Sequence, residues 1–109
     1  MEVSVRKTST AWSIVAVKGR MDAHTSAEVE EACQSVLDEE GVEKMAVDLS
    51  EVVYISSAGL RVMLGLLKQL KVKQGKMALL QPQDSVREIL DISGFSSIFD
   101  IVDSEGYLG

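Results

Sequence analysis

The feature that most constrains the fold is the alternation of short apolar runs with longer segments whose apolar residues follow a helical period. Residues 3–5, 12–17, 44–49 and 77–80 are short apolar runs of the kind that form strands. In residues 25–40 and 57–73, and again from residue 84, apolar positions recur every three or four residues. Chains that alternate in this way form partly parallel sheets covered by helices, so the sequence predicts an α/β fold.

The order of these segments predicts the outline of the sheet. The polar spacer Lys7–Thr10 between the first two runs predicts an antiparallel hairpin, and Gly19 is expected to end its second strand. Residues 50–55 are expected to be a connection, and residues 95–102 to include a last short strand. The predicted order is β-β-α-β-α-β-α-β, with a mixed sheet of four to five strands and three or more helices. At 109 residues, the chain is expected to form one domain over 1–109.

The first helix and the strand before it contain residues with expected packing or capping roles. Thr25, with Glu28 three residues later, is typical of a capping box, and Gly41 is a plausible end for the first helix. Cys33 falls on the apolar face of that helix and is expected to be a small buried hydrophobe. Trp12 opens the second strand and is expected to pack on the sheet or cap its edge.

The composition excludes several classes of function. Asp and Glu total 17 against 11 Lys and Arg, a net charge of −6, whereas nucleic acids and anionic membrane surfaces select basic patches. One Cys cannot form an internal disulfide, and one Cys with one His cannot build a tetrahedral zinc site. We therefore expect no nucleic-acid or membrane partner, no metal and no cofactor.

The sequence contains no signal that directs the chain to a membrane. Residues 1–12 alternate polar and apolar positions and lack the apolar run of a secretory signal. The most apolar stretch, residues 60–70, is interrupted by Arg61, Gly65 and Lys68, so it is not expected to span a bilayer. We therefore expect a cytoplasmic protein.

The stretch from Asp48 to Leu64, DLSEVVYISSAGLRVML, carries most of the functional information. It leads from a strand into a helix whose first turn would hold Ser56, Ser57 and small residues. Backbone N–H groups and partial positive charge at a helix start favour an anion, including an attached phosphate. Alternatively, one of the serines is only an N-cap, which stabilises a helix by about 1 kcal/mol. Spacing alone leaves both interpretations open.

Three motifs resemble the STAS family, which includes the bacterial anti-sigma factor antagonists and related domains of sulfate transporters. Asp48-Leu49-Ser50, followed by SSAGLR at 56–61, resembles the family signature D-L-S and then D-S-[ST]-G-[LI]-[GR] at a helix start. Gly19-Arg20-Met21-Asp22 resembles the loop G-x-[LM]-D after the second strand. Ile92-Ser93-Gly94-Phe95 resembles the family motif [MT]-[ST]-G-[LF] at the end of the third helix. The motifs occur in the family's order and cover nearly the whole chain.

The resemblance implies a phosphorylation switch. In the antagonists, the serine that corresponds to Ser57 is phosphorylated by a partner that is both an anti-sigma factor and a serine kinase. The unphosphorylated antagonist binds that partner and releases the sigma factor, and a serine phosphatase reverses the modification. Two positions depart from the family pattern, because Ser56 replaces a frequent Asp and Ala58 replaces a frequent Ser or Thr. Ser57 is the favoured acceptor, with Ser56 as the alternative.

The resemblance also implies a partner-binding surface around this serine. The residues expected on this surface are Asp22, Ser56, Ala58, Gly59, Arg61 and Val62. Three of these have simpler alternatives. Asp22 could bond only its own loop, Arg61 could be a solvated side chain, and the apolar edge with Val62 and Leu66 could be buried.

Two other classes of function remain as alternatives. One is a STAS scaffold or subunit of a stress-signalling or transport complex without a phosphorylation cycle. The other is an enzyme that uses Ser57 as nucleophile. The second is disfavoured because the G-x-S-x-G motif is absent and His24 is the only imidazole. We therefore expect a non-enzymatic binding protein, as a monomer or a weak dimer.

Overall fold

The structure of the protein is a computed structural model that describes residues 2–109. It contains five strands and three α-helices in the predicted order β-β-α-β-α-β-α-β, which confirms the α/β prediction. The elements are β1 (Glu2–Lys7), β2 (Ser13–Met21), α1 (Ser26–Leu37), β3 (Lys44–Ile55), α2 (Ser57–Val72), β4 (Lys76–Leu80), α3 (Asp84–Ile92) and β5 (Asp100–Val102), with 3₁₀ turns at Phe95–Ser97 and Glu105–Leu108.

The five strands form one mixed sheet in the order β1-β2-β3-β4-β5. β1 is antiparallel to β2, as the polar spacer predicted, and every other neighbouring pair is parallel. Because parallel strands run in the same direction, the segments that follow β2 and β3 leave the sheet at the same end. This arrangement brings the loop after β2 next to the start of α2.

Two predicted strand ends are wrong for one reason. β2 continues through Gly19 to Met21, and β3 continues through residues 50–55, which were expected to be a connection. The two extensions pair with each other, Gly19 with Val52 and Met21 with Ile55. The register shifts after Ala16 and again after Gly19, whose φ is +118°, so the alternation that marks a strand is broken there.

The predicted capping box at the start of α1 is not formed. Thr25 has helical dihedrals, φ −93° and ψ −15°, and its side chain caps no backbone N–H of α1. Its hydroxyl instead donates a hydrogen bond of 2.5 Å to the carbonyl of Arg20. The helix start is held by Asp22, whose carbonyl accepts the Ser26 N–H at 2.9 Å.

The main core lies between one face of the sheet and all three helices. It includes Val15, Val47 and Leu79 from the central strands, with helix residues such as Met63. Cys33 is also fully buried there, as predicted, and burial raises the pKa of its thiol to about 12. A smaller cluster on the opposite face of the sheet confirms that Trp12 packs on the sheet. Its buried members are Trp12, Ile14, Ala46, Ala78 and Leu80.

The β1–β2 turn predicts a stabilising substitution. Ala11 has a φ of +69°, a left-handed conformation that favours glycine. Ala11→Gly is expected to raise the free energy of unfolding by about 0.5–1 kcal/mol, measured by urea denaturation. The matched control is Ala27→Gly at an exposed position of α1, where the same change should lower it by about 0.5–1 kcal/mol. Destabilisation of both variants would contradict the left-handed conformation of Ala11.

Candidate functional site

The candidate site is the junction between β3 and α2. Ile55 ends the strand and Ser57 begins the helix, which leaves Ser56 between them in an extended conformation. The Ser56 hydroxyl accepts a hydrogen bond of 3.3 Å from the Gly59 N–H. Ser56 is therefore the N-cap of α2, the simpler of the two roles open to a serine at this position.

Ser57 differs from Ser56 in exposure and in bonding. It is the first residue of α2, and its side chain is exposed whereas Ser56 is half-buried. The Ser56 hydroxyl is engaged by the helix start, but the Ser57 hydroxyl makes no hydrogen bond with any of residues 2–109. Of the two candidate acceptors, Ser57 presents the accessible hydroxyl at the positive end of a 16-residue helix.

The start of α2 is packed tightly against the ends of β2 and β3. The Ser56 N–H donates a hydrogen bond of 2.8 Å to the Met21 carbonyl. A Cβ added at the buried Gly59 would lie 2.9 Å from Ile55 Cγ1 and 3.2 Å from the Met21 carbonyl oxygen. Gly59 therefore has a packing role, because its small size lets the helix approach the sheet and places Ser57 at the surface.

Asp22 organises the loop next to this junction. Its Oδ1 accepts hydrogen bonds of 3.0 Å from the N–H groups of His24 and Thr25. The Thr25 N–H and then the Thr25 hydroxyl make the largest contributions that lower the pKa of Asp22 below its ordinary value, and the charge of Arg20 adds to them. Asp22 thus bonds its own loop, which was the simpler alternative. Met21, the residue before it, supplies the carbonyl that accepts the Ser56 N–H.

Two side chains at this end of the sheet were missed by the sequence analysis. The Arg20 guanidinium lies over the Tyr54 ring, 4.5 Å from its centroid, an arrangement that gives a cation–π interaction. Arg20 and Tyr54 are partners in the β2–β3 register, and Val53 beside them is 53% exposed. The missed signal was the concentration of β-branched and aromatic residues in 52–55, which favours a strand.

The first two turns of α2 divide the remaining predicted residues. Arg61 is exposed, and because it follows Ser57 by four residues it lies on the same side of the helix. No ion pair within residues 2–109 involves Arg61. Val62 is half-buried and packs against the main core, while Leu66 is only 1% exposed. The apolar edge predicted to reach Leu66 therefore ends at Val62, because Leu66 is a core residue.

The predicted residues thus separate into two groups. The first group is exposed or partly exposed at the start of α2 and in the loop after β2, whereas Gly59 is buried against the sheet. The members of the first group are Asp22, Ser56, Ser57, Ala58, Arg61 and Val62. Chemically, this surface offers the free Ser57 hydroxyl, together with the N–H groups of a helix start and the Arg61 guanidinium, which favour negative charge. It also contains the Asp22 carboxylate, whose Oδ1 accepts N–H groups of its own loop.

Two other kinds of feature are absent from the part of the chain that the structure describes. Within residues 2–109, no three His, Cys, Asp or Glu side chains are grouped so that they could hold a metal ion. No α-helix in the same range combines the length and hydropathy needed to cross a membrane.

A mixed sheet with three helices on one face, and a serine displayed where α2 begins, defines an α/β domain of the STAS type. The family model described as "STAS domain" matches residues 2–107, almost the whole chain. The chain belongs to the STAS domain family. This assignment confirms the resemblance seen in the three sequence motifs.

Curated relatives of the chain are named as antagonists of anti-sigma factors. The anti-sigma-B factor antagonist of Listeria monocytogenes is 31% identical over 97% of this chain and 92% of its own length. A candidate anti-sigma factor antagonist of Bordetella bronchiseptica, BtrV, is 37% identical over 84% of this chain and 78% of its own length. The similarity to both relatives extends over most of each protein.

A solved structure of a more distant protein has the same fold. The Bacillus cell fate determinant SpoIIAA, in its phosphorylated form, superposes with a TM-score of 0.74 over 98% of this chain and 96% of that one. The two sequences are 16% identical, so this likeness concerns the fold.

Proposed function

We propose that this chain is an anti-sigma factor antagonist controlled by phosphorylation of Ser57. In its unphosphorylated form it binds an anti-sigma factor that is also a serine kinase, and so releases a sigma factor. The observation that carries the proposal is the exposed, unbonded hydroxyl of Ser57 at the first position of α2. The names of the Listeria and Bordetella relatives support the same class of partner.

Ser57 is a better phosphate acceptor than Ser56. A kinase must reach the hydroxyl and bring it into line with a nucleotide phosphate, which requires an exposed side chain. Ser56 is half-buried, and its oxygen accepts the Gly59 N–H. Phosphorylation there would disturb the cap of α2, whereas Ser57 can be modified without the loss of any hydrogen bond that the described residues make.

Phosphorylation is proposed to act on the complex and to leave the fold intact. The modification adds a charge of about −1.5 to −2. At the start of α2 this charge is stabilised by the helix N–H groups and by Arg61 one turn away. A partner packed over Ser57 would instead bury an unmatched charge and extra bulk. SpoIIAA in its phosphorylated form has the same fold as this chain. This likeness supports an effect of the phosphate on the complex with the partner and not on the fold.

The proposed binding surface combines Ser57 with exposed residues of three neighbouring segments. Asp22 lies on the loop after β2, and Val53 and Tyr54 add exposed apolar area at the end of β3. On α2, Arg61 is exposed and the half-buried Val62 lies at the edge of the core. Ser56, Ala58 and Gly59 shape the helix start beneath it. Such a mixture of aromatic, apolar and charged groups is typical of protein interfaces.

The proposed switch involves two partner proteins and operates in the cytoplasm. The chain acts by binding alone, without catalysis or a cofactor, and its partners are the kinase and a serine phosphatase. Because the kinase consumes ATP, we place the switch in the cytoplasm. Its net charge of −6 suits a regulator that acts through another protein and does not contact nucleic acid.

The experiment that tests this proposal is a phosphorylation assay. The purified chain is incubated with ATP and each serine-kinase anti-sigma factor encoded in the same genome, and the products are analysed by tandem mass spectrometry. One kinase is expected to add a single phosphate to Ser57. Ser57→Ala should abolish the added mass, and Ser56→Ala should retain it. Binding of such a partner with no phosphorylation at any residue would favour a STAS scaffold.

A further inference from the structure

The outer edge of β1 is an unpaired strand edge. β1 is the first strand in the sheet and pairs with β2 alone among the strands of residues 2–109. Its six residues, EVSVRK, form a regular ladder without Pro, Gly or a register shift. A strand edge of this kind presents free backbone donors and acceptors that can pair with another strand.

The hairpin identifies which backbone groups face outward. At its closed end, the Thr8 N–H donates a hydrogen bond of 2.9 Å to the Trp12 carbonyl. In an antiparallel ladder, hydrogen-bonded pairs alternate with non-hydrogen-bonded pairs. The residues of β1 bonded to β2 are therefore the even-numbered ones, and the N–H and C=O groups of Val3 and Val5 point to the open edge.

The sequence of this edge is complementary to itself. We propose that β1 pairs antiparallel with β1 of a second copy of the chain, about a two-fold axis through Ser4. In this register Val3 faces Val5 of the second copy, and the outward backbone groups of both can exchange hydrogen bonds. Glu2 faces Arg6 on the other face of the sheet, and the symmetry repeats this pair. A shift by two residues would place Val3 opposite Lys7.

The burial of Val3 and Val5 also supports a second copy of the chain as the partner of this strand edge. Val3 is half-buried against the main core, but Val5 on the same face is 46% exposed. Pairing would place each Val5 against Val3 of the second copy and continue the apolar face across the axis. Arg6 already pairs with Glu105, but both side chains are about half exposed. Its guanidinium therefore has further donors for Glu2.

The proposed interface is separate from the Ser57 surface. β2 lies between β1 and β3, and Ser57 follows the part of β3 that extends beyond Glu51, which is the register position level with Glu2 of β1. The dimer would therefore leave the partner-binding surface free in both copies. Because a single added strand pair contributes few contacts, the association is expected to be weak and dependent on protein concentration.

A charge-swap series tests the pairing by sedimentation equilibrium of the full chain. The parent chain is expected to dimerise as concentration rises. Glu2→Arg and Arg6→Glu should each lower the association constant about tenfold, because each turns two attractive pairs into two repulsive ones. The double variant, which restores opposite charges, should recover most of the loss. Glu30→Arg, the same charge change on an exposed residue of α1, should have no effect. Thermal melts monitor folding of each variant.

A cysteine at the axis tests the register. Ser4→Cys should form a disulfide-linked dimer under mild oxidation, because the two Ser4 positions face each other across a non-hydrogen-bonded pair. Ser9→Cys in the exposed hairpin loop and Val5→Cys should crosslink much more slowly. Native Cys33 is buried and does not interfere. A monomer at every concentration, a double variant no better than the single ones, or equal crosslinking at all three positions would overturn the proposal.

Discussion

Ser57→Asp is expected to weaken binding to the anti-sigma factor by about thirtyfold or more. A carboxylate at this position would be buried in the interface without a matching charge, at a cost of about 2–5 kcal/mol. Ser57→Ala should bind within a few-fold of the parent chain, because it removes a hydroxyl that makes no hydrogen bond within the described residues. The measurement is isothermal titration calorimetry with the kinase identified by phosphorylation.

Two controls separate this effect from net charge and from misfolding. Ser9→Asp adds the same charge in the β1–β2 turn, at the opposite end of the sheet from Ser57, and should not change affinity. The free energy of unfolding of Ser57→Asp should equal or slightly exceed that of the parent, because an acidic residue in the first turn of α2 is stabilised by the helix dipole. Equal binding by Ser57→Ala and Ser57→Asp would contradict the proposed switch.

Gly59→Ala is expected to lower the free energy of unfolding by about 1–3 kcal/mol. The new Cβ would lie 2.9 Å from Ile55 Cγ1 and 3.2 Å from the Met21 carbonyl oxygen. The start of α2 would have to move away from β2 and strain the hydrogen bond from the Ser56 N–H to that carbonyl. Urea denaturation followed by circular dichroism measures the loss.

Gly65→Ala is the matched control for this prediction. Gly65 lies in the same helix, is exposed, and an added Cβ would meet nothing within 4 Å apart from its chain neighbours and the adjacent backbone of its own helix. The substitution should therefore stabilise the chain by about 0.5–1 kcal/mol, through helix propensity alone. Gly59→Ala should also slow phosphorylation of Ser57, because it displaces the helix start, and Gly65→Ala should not. Equal stability of the two variants would contradict the tight packing at Gly59.

Prediction from the sequence was correct where one local signal decided the structure. The bounds of α2 were predicted closely, because its apolar residues keep a helical period over many residues and Gly75 follows them. It failed where two segments depend on each other. The ends of β2 and β3 pair only after a register shift at Gly19, and neither segment alone indicates that pairing. Thr25 was also wrongly assigned to a capping box, because its hydroxyl bonds the Arg20 carbonyl five residues earlier, a contact that no residue spacing indicates.

The candidate site shows the same division. The motifs and their order were sufficient to identify the STAS family, and they nominate Ser56 and Ser57 as candidate acceptors. They could not distinguish a capping serine from a free one, because both are hydroxyls at a helix start. They also missed Arg20 and Tyr54, which come together only through the extended pairing of β2 and β3.

The sequence by itself determined the class of fold and the family, and it predicted the segment of the candidate site, because these depend on periodicity and on motifs that are local in the chain. Only the tertiary structure decided that Ser56 is committed to the cap, that Ser57 is exposed, and that Gly59 sets the distance between α2 and the sheet. Exposure and close approach depend on contacts between segments distant in sequence, and no local pattern encodes the distances of such contacts.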